Sequence, residues 1–575
     1  MCVNRTSTRR DRLLGGKLHD SALSSRVKGA PQIVIVLLGA LLLAGCGQAT
    51  AERECMNTES LARFESVAET LRVELKIPAI SAAIVHEGEL VWSRGFGISD
   101  LESGTKATPQ TPYGLASVTQ PFAASLLMRL VEDGRLDLDA PITDFGFDLG
   151  DDRITTRHLL SHTSYGVAGR DFRFYGARYA RLTDIIEHFY ETSYRRILRQ
   201  EILEPLGMSD TALNIGGCGV EYYMSTLSDD DPERAFRHVY EHLATPYQYD
   251  PDYEVFPALV PTYATAAAGL ISTVEDLARF AIAIEQDELV SAESKAAMFT
   301  PTRLTNGENG LGGLGWLVET FDGTKLVWHF GNGAYSSLVL IVPDKRLTLI
   351  VLGNTPNLTR PFGLGWGDVS VMISPFALEF YKQFVLQPDA DEDLPRIDWS
   401  GDEDAIAGQL EQIGDETLLG LYENELWSYR KLFAGAGDYV QARTLLDVHT
   451  RVFPDAEQSQ RDIYMARRPT EQPIERERYE LADNEQLSWI GDYRLQPEDD
   501  ASDLPEEIEI RVLAGRVLAI PSNAECQEYY PLGPSRLVAT NSAEILMVGK
   551  LGEEPFGSFE LRVSGRTIAT YERIE

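Results

Sequence analysis

Leu61, Phe64, Val67, Ala68, Leu71 and Leu75 recur at helical spacing, which predicts an amphipathic helix ahead of the first strands. Beyond it, Ile80 to Val85 and Leu90 to Trp92 are short apolar runs on either side of Glu87-Gly88, the pattern of a β-hairpin. Two further runs rich in Val, Ile and Leu, Ser336 to Val342 and Leu347 to Leu352, are joined by Pro343-Asp344-Lys345-Arg346 and predict a second hairpin. Between the hairpins the periodicity is helical: Pro121 to Val131 stopped by Gly134, Thr183 to Leu203, and Thr273 to Ile284 with Ser272-x-x-Glu275 as a capping box. Strands, then helices, then strands predict an α+β fold whose terminal segments share one antiparallel sheet.

After Val385 the pattern changes. Pro388, Asp389, Asp391, Glu392, Asp393, Pro395 and Asp402 to Asp404 form an acidic stretch that repels itself and reads as a linker over 386–404. Residues 405–475 read as helical, and Gly437-Asp438-Tyr439 with Ala442 and Phe453-Pro454-Asp455-Ala456 resembles one tetratricopeptide hairpin. One hairpin cannot bury its own faces, so it is expected to pack on a neighbour or to take a protein partner. Over 476–575, Ile508, Ile510 and Val512 alternate, as do Phe559, Leu561 and Val563, which predicts a β-rich barrel or sandwich.

The first 45 residues have a different character. Arg26 and Lys28 precede the apolar run Ile33 to Leu43, which is sized for the hydrophobic region of a signal peptide. The run ends in Leu43-Ala44-Gly45-Cys46, which resembles a bacterial lipobox, so residues 1–45 are expected to be removed and Cys46 lipidated. Residues 46–57 would then be a tether, 58–385 the first folded domain, and the protein a lipid-anchored one of the cell envelope. With Gly47 after the cysteine, the resemblance points to the periplasmic face of the outer membrane.

At 575 residues the chain has room for two to four domains, and 43% apolar with 24% charged residues is an ordinary globular composition. There are 52 Lys and Arg against 88 Asp and Glu, a net charge of −36, and a field of that sign repels phosphate backbones. Nucleic-acid binding is excluded from the leading readings on that ground. The cysteines at 2, 46, 55, 218 and 526 show no C-x-x-C spacing, so no zinc ribbon or thioredoxin motif is indicated. His158 with His162, and His238 with His242, lie four apart, yet Leu159 and Val239 stand where His-Glu-x-x-His needs glutamate. The first pair is expected to be structural and the second solvated. No metal or cofactor is expected.

Ser117-Val118-Thr119-Gln120-Pro121-Phe122 stands at the start of an apolar helix, where free N–H groups and the helix dipole favour developing negative charge. With it come Ile77-Pro78-Ala79-Ile80, Gly134 to Asp139, Ile154 to Ser164, Glu204-Pro205-Leu206-Gly207-Met208 and His329-Phe330-Gly331. In these blocks the chain resembles the serine β-lactamase and penicillin-binding-protein superfamily, in its class C, esterase and D-aminopeptidase branch, over about 58–385. The resemblance implies Ser117 as nucleophile, His329-Phe330-Gly331 as the motif on the facing edge strand, and the backbone N–H groups of Ser117 and Asn332 as the oxyanion hole.

Two positions depart from the family. Its Ser-x-x-Lys motif has Gln120 in place of lysine, and a carboxamide neither accepts the serine proton nor carries charge. Its Tyr-x-Asn motif, anchored here on Phe172 and Tyr179, falls on Phe174 and Gly176; a shift by one residue would recruit Tyr175 instead. His329 is the remaining motif group with an ordinary pKa near neutrality, a substitute base or a carboxylate-binding relic. Tyr175, Trp328 and Tyr335 are candidates to line the pocket. Two readings follow: a serine hydrolase of weak or atypical acyl transfer on a small acyl or peptide substrate, or a pseudoenzyme that binds a peptide or peptidoglycan-like ligand without turnover.

Overall fold

The computed structural model describes residues 58–453, apart from 216–218, 250–254, 259, 262–263, 365–368, 387–393, 396 and 436–437, and the strands between 491 and 574. The expected leader, Cys46 and the tether lie outside the described residues, as do Cys55, Cys218 and Cys526.

Helix Thr58–Glu74 buries Phe64, Ala68 and Leu71, the stripe the periodicity marks. It leads into β1 (Ala79–His86) and β2 (Glu89–Asp100), which turn at Glu87 and Gly88, both with positive φ, and then into the short β3 (Thr105–Lys106). β4 (Tyr113–Gly114), β5 (Ala212–Leu213) and β8 (Leu270–Ser272) make a small second sheet, and β6 (Tyr247–Tyr249) pairs with β7 (Val255–Pro257). The main sheet is completed by β9 (Leu317–Phe321), β10 (Thr324–Asn332), β11 (Ser336–Val342) and β12 (Leu347–Gly353). Its order is β3-β2-β1-β12-β11-β10-β9. β1 and β12 meet antiparallel at its centre, Ile80 opposite Gly353 and His86 opposite Leu347, so the two ends of the domain close one sheet. Every residue of β12 is buried, as a strand covered on both faces requires.

The helices pack on this sheet around one core, in which Phe122 of helix Gln120–Glu132 stacks on Phe280 of helix Val274–Glu285 at 3.9 Å. Two details differ from expectation. The cap of Val274–Glu285 is Thr273, whose side chain accepts from the Asp276 N–H, while Ser272 belongs to β8 and bonds Thr211 at 2.7 Å. The stretch 183–203 is not one helix: Leu182–Tyr190 stops where Glu191 adopts φ 56°, and Tyr194–Leu198 then runs into a π-helical turn, Arg199–Leu203. Thr192 and Ser193 are weak helix formers, and a left-handed residue ends the ladder.

Among the described residues, three helices follow the domain, Glu403–Leu410, Glu416–Gly435 and Tyr439–Val452. Their shared cluster contains Ile406, Leu410, Tyr422, Leu426, Leu445, Val448 and also Trp399, 3% exposed. Trp399 falls within the expected acidic linker, so that stretch gives way to packed structure before residue 404; an indole of that size overrides the charge around it. Glu416–Gly435 is fixed to the preceding domain by Ser428, whose hydroxyl donates to the Ile373 carbonyl, and by Glu425, which accepts from Lys382 at 2.6 Å. Lys382 also reaches Glu379 at 3.1 Å.

Eight strands close into an antiparallel barrel: β13 (Gly491–Leu495), β14 (Glu507–Leu513), β15 (Arg516–Pro521), β16 (Gln527–Gly533), β17 (Arg536–Ala539), β18 (Ile545–Gly549), β19 (Ser558–Val563) and β20 (Arg566–Ile574). β13 pairs with both β14 and β20, which seals the ring.

Candidate active site

Ser117 lies in a 3-10 turn, Ala116–Thr119, that feeds directly into helix Gln120–Glu132. Residues three apart eclipse one another in such a turn, so Ser117 and Gln120 keep the facing relation that the motif needs. Ala116 has φ 46°, an uncommon conformation for a residue with a side chain, and the turn is held in it from three directions. Thr119 Oγ1 donates to the Ala116 carbonyl at 2.7 Å, the Leu270 N–H donates to Thr119 Oγ1 at 3.1 Å, and Ser337 Oγ donates to the Leu115 carbonyl at 2.7 Å. Ser117 itself is half-buried, and the N–H groups of the turn's first residues have no partner within the helix.

β10 passes close against this turn. A Cβ on Gly331 would lie 2.2 Å from the Leu115 carbonyl oxygen, so only glycine permits the approach. That contact sets His329, Gly331 and Asn332 beside the Ser117 turn, as the motif expectation requires.

Gln120 is fully buried between two histidines. Its Oε1 lies 2.9 Å from His162 Nε2 and 3.2 Å from His329 Nε2, and its Nε2 has no hydrogen-bond partner. The tautomers follow from the other ring nitrogens. The Tyr175 N–H donates to His162 Nδ1 at 3.2 Å, so the proton of neutral His162 is on Nε2 and is given to Gln120. His329 Nδ1 lies 3.0 Å from the Phe330 carbonyl, which only accepts, so the proton of neutral His329 is on Nδ1 and its Nε2 is an acceptor. Burial lowers the pKa of His162 to about 3, with His329 adding to the effect, and burial lowers that of His329 to about 4. Both rings are neutral at neutral pH.

Phe174 closes the other side. Its ring centroid is 4.3 Å from His162, 6.0 Å from His329 and 4.8 Å from Phe330. Both motif anchors reach the same place: Phe172 meets His162 edge-on at 6.2 Å, and the Tyr179 hydroxyl donates to the Gln120 carbonyl at 3.0 Å. Gly176 opens the short helix Gly176–Tyr179, and a Cβ built on it meets nothing within 4 Å. Tyr175 is 41% exposed and pairs edge-on with Tyr165 at 5.5 Å, at the surface. Trp328 is in the core, and so is Tyr335, whose hydroxyl donates to the Ala244 carbonyl at 2.6 Å.

His162 is the site residue that the sequence reading assigned to packing. Its φ of 56° turns the chain back after helix Thr156–Leu160 and delivers the ring to Gln120. His158, its neighbour four residues before, instead completes the capping box of that helix with Thr155. Among the described residues no group of three or more His, Cys, Asp or Glu is placed to hold a metal.

The strand of His329-Phe330-Gly331, β10, is not the edge strand the motif expectation places there, because β9 pairs outside it as far as Trp328. A serine at a helix start, a glycine-dependent strand beside it and helices packed on an antiparallel sheet define a protein of the serine β-lactamase and penicillin-binding-protein type. Residues 64–368 match the Beta-lactamase family, and the chain belongs to that family. It is 26% identical over 309 residues to penicillin-binding protein 4* of Bacillus subtilis, covering 46% of this chain and 66% of that protein. It is 24% identical over 334 residues to Unguisins hydrolase ungD' of Aspergillus campestris (48% and 59%) and 36% identical over 110 residues to Esterase EstB of Burkholderia gladioli (18% and 28%). None of these relatives is spanned over its whole length. Among solved structures, it is similar to the octameric penicillin-binding protein homologue from Pyrococcus abyssi, at 19% identity and a TM-score of 0.47, covering 89% of this chain and 99% of that one.

Proposed function

We propose that this chain is an exported, lipid-anchored binding protein on a hydrolase scaffold, which holds an acyl- or peptide-type ligand at Ser117 and turns it over slowly or not at all. The observation that carries this reading is the state of Gln120: a neutral carboxamide enclosed by two neutral imidazoles and a phenyl ring, where the family's mechanism needs a cation and a phenol. Loss of one general base costs typically 10²- to 10⁴-fold, and members of such a unit act together, so substrate orientation and the oxyanion donors are what remains. His329 does not replace the base. A nitrogen with a pKa of about 4 is a weak proton acceptor at pH 7, and its free lone pair faces Gln120.

The deciding measurement is intact mass after exposure to a fluorophosphonate and, separately, to a penicillin. Slow modification of Ser117 by the first and no accumulating or cleaved penicillin are expected. Rapid penicillin or p-nitrophenyl ester turnover that disappears in Ser117→Ala would overturn the binding reading. The hydrolase reading draws its support from the strained Ala116 and half-buried Ser117, a nucleophile seat kept in form. The anchor has its own test: Cys46→Ser should release the protein from membranes, since among the described residues no helix is long and apolar enough to cross one.

A further inference from the structure

Gly331 and Asn332 share one planar peptide unit, so whatever holds the Gly331 carbonyl also aims the Asn332 N–H. Gly333 donates to the Tyr335 carbonyl at 2.9 Å, and β10 and β11 run antiparallel with Gly331 opposite Ser337 and Asn332 opposite Ser336. Bonded and non-bonded pairs alternate along such a ladder. Gly331 and Ser337 are therefore a bonded pair, and the Asn332 N–H is directed to the other edge of β10. β9 leaves that edge open, because its pairing with β10 ends at Trp328.

The Gly331 carbonyl has a second donor. Thr359 Oγ1 lies 2.9 Å from it, and Thr359 is 1% exposed. Thr359 occupies the N-cap of the 3-10 turn Arg360–Phe362, where a threonine side chain ordinarily accepts from first-turn N–H groups, yet it makes no cap bond. Its hydroxyl crosses to β10 instead. Helix Glu416–Gly435 packs against this same turn.

We infer that Thr359 is a positioning residue for the oxyanion donor: it fixes the plane of the Gly331–Asn332 peptide, and through it the helices after the domain bear on the site. The inference rests on the reading that the Ser117 and Asn332 N–H groups receive the ligand's oxygen. Thr359→Val keeps the shape and removes the hydroxyl; Thr359→Ser keeps the hydroxyl.

Both variants are made in the full chain and followed in two ways. Hydrogen exchange by mass spectrometry reports on residues 329–334, with 347–353 as the internal reference. Fluorophosphonate modification reports on Ser117, its Oγ–P bond forming as fluoride leaves and the serine proton passes to water. One lost hydrogen bond sets the expected size: Thr359→Val should speed exchange at 329–334 about tenfold and slow modification about tenfold, with 347–353 unchanged. Thr359→Ser should restore both. Unchanged exchange at 329–334 in Thr359→Val, equal acceleration at 347–353, or no recovery in Thr359→Ser overturns the role of Thr359. If the wild-type chain is never modified, the reading of Ser117 falls, while the exchange result still decides whether Thr359 orders that peptide.

Discussion

At Gln120 a carboxamide stands where the family motif has lysine, and its surroundings are uncharged to match. His162 gives its proton to Gln120 Oε1, while His329 presents a lone pair to that same oxygen and the amide Nε2 has no acceptor. One ring is satisfied and the other is not, so the contact with His329 is held by packing and not by a hydrogen bond. Both histidines are buried neutral with pKa values of about 3 and about 4, below the ordinary value near 6.5. In the unfolded chain they bind protons first, so stability is lost as pH falls from about 6.5 towards 4, at about 1.4 kcal/mol per pH unit for each ring. Thermal unfolding at pH 7, 5.5 and 4.5 should show this slope, and His162→Gln should flatten it; an equal slope in that variant would place the proton uptake elsewhere.

Restoring the family residues tests whether the site is broken where the sequence departs. Gln120→Lys alone puts an ammonium among neutral groups in a fully buried position, which lowers its pKa and the melting temperature. Phe174→Tyr alone adds a hydroxyl without a cation to favour phenolate. Together they rebuild a Ser-Lys-Tyr unit, and p-nitrophenyl ester hydrolysis by the double variant should exceed the product of the single effects by at least about tenfold. Ser117→Ala should remove the gain. Strict additivity would mean that the two side chains do not meet at Ser117.

Within the elements, two glycines of the motifs have opposite prospects. Gly331 lies against backbone of the Ser117 turn, with the Leu115 carbonyl and Ser337 Oγ each 2.2 Å from where a Cβ would sit. Gly331→Ala should cost about 3 kcal/mol, the upper part of the overpacking range, because backbone cannot step aside as a side chain can. Gly176 has open space and ordinary φ, so Gly176→Asn should change stability by no more than about 0.5 kcal/mol. Chemical denaturation of both variants checks the contrast. Glycine type alone does not distinguish them; the neighbouring strand does. The same limit explains what was legible here. Period-2 and period-3.6 patterns marked β1, β2, β11, β12 and the principal helices, because those elements bury one face or two. The break at Glu191 and the shift of the cap from Ser272 to Thr273 depend on single dihedrals, which periodicity does not encode. His162 was readable as part of a motif block but not as a partner of Gln120, since 42 residues and a left-handed turn separate them.

For the whole molecule, buried Lys382 and Glu425, with half-buried Glu379 beside them, form an ionic group between the domain and helix Glu416–Gly435. Lys382→Met leaves Glu425 buried without its cation and should cost about 3 to 5 kcal/mol, whereas pairing it with Glu425→Leu should recover most of that. Unfolding of the two variants measures it; equal losses would show that the pair does not hold the helices in place. The lysine and its glutamate lie 43 positions apart, so the sequence shows two charged residues and no sign that they meet.

The closed ring of β13 to β20 has a consequence of another kind. An open sheet recruits partners by lending its unpaired edge, and it risks fibres for the same reason. Here β20 is stitched to β13, Asp492 opposite Ile574 and Leu495 opposite Tyr571, so among the described residues the ring has no terminal strand. Deleting a single strand would create two raw edges at once, turning a self-contained fold into an adhesive one.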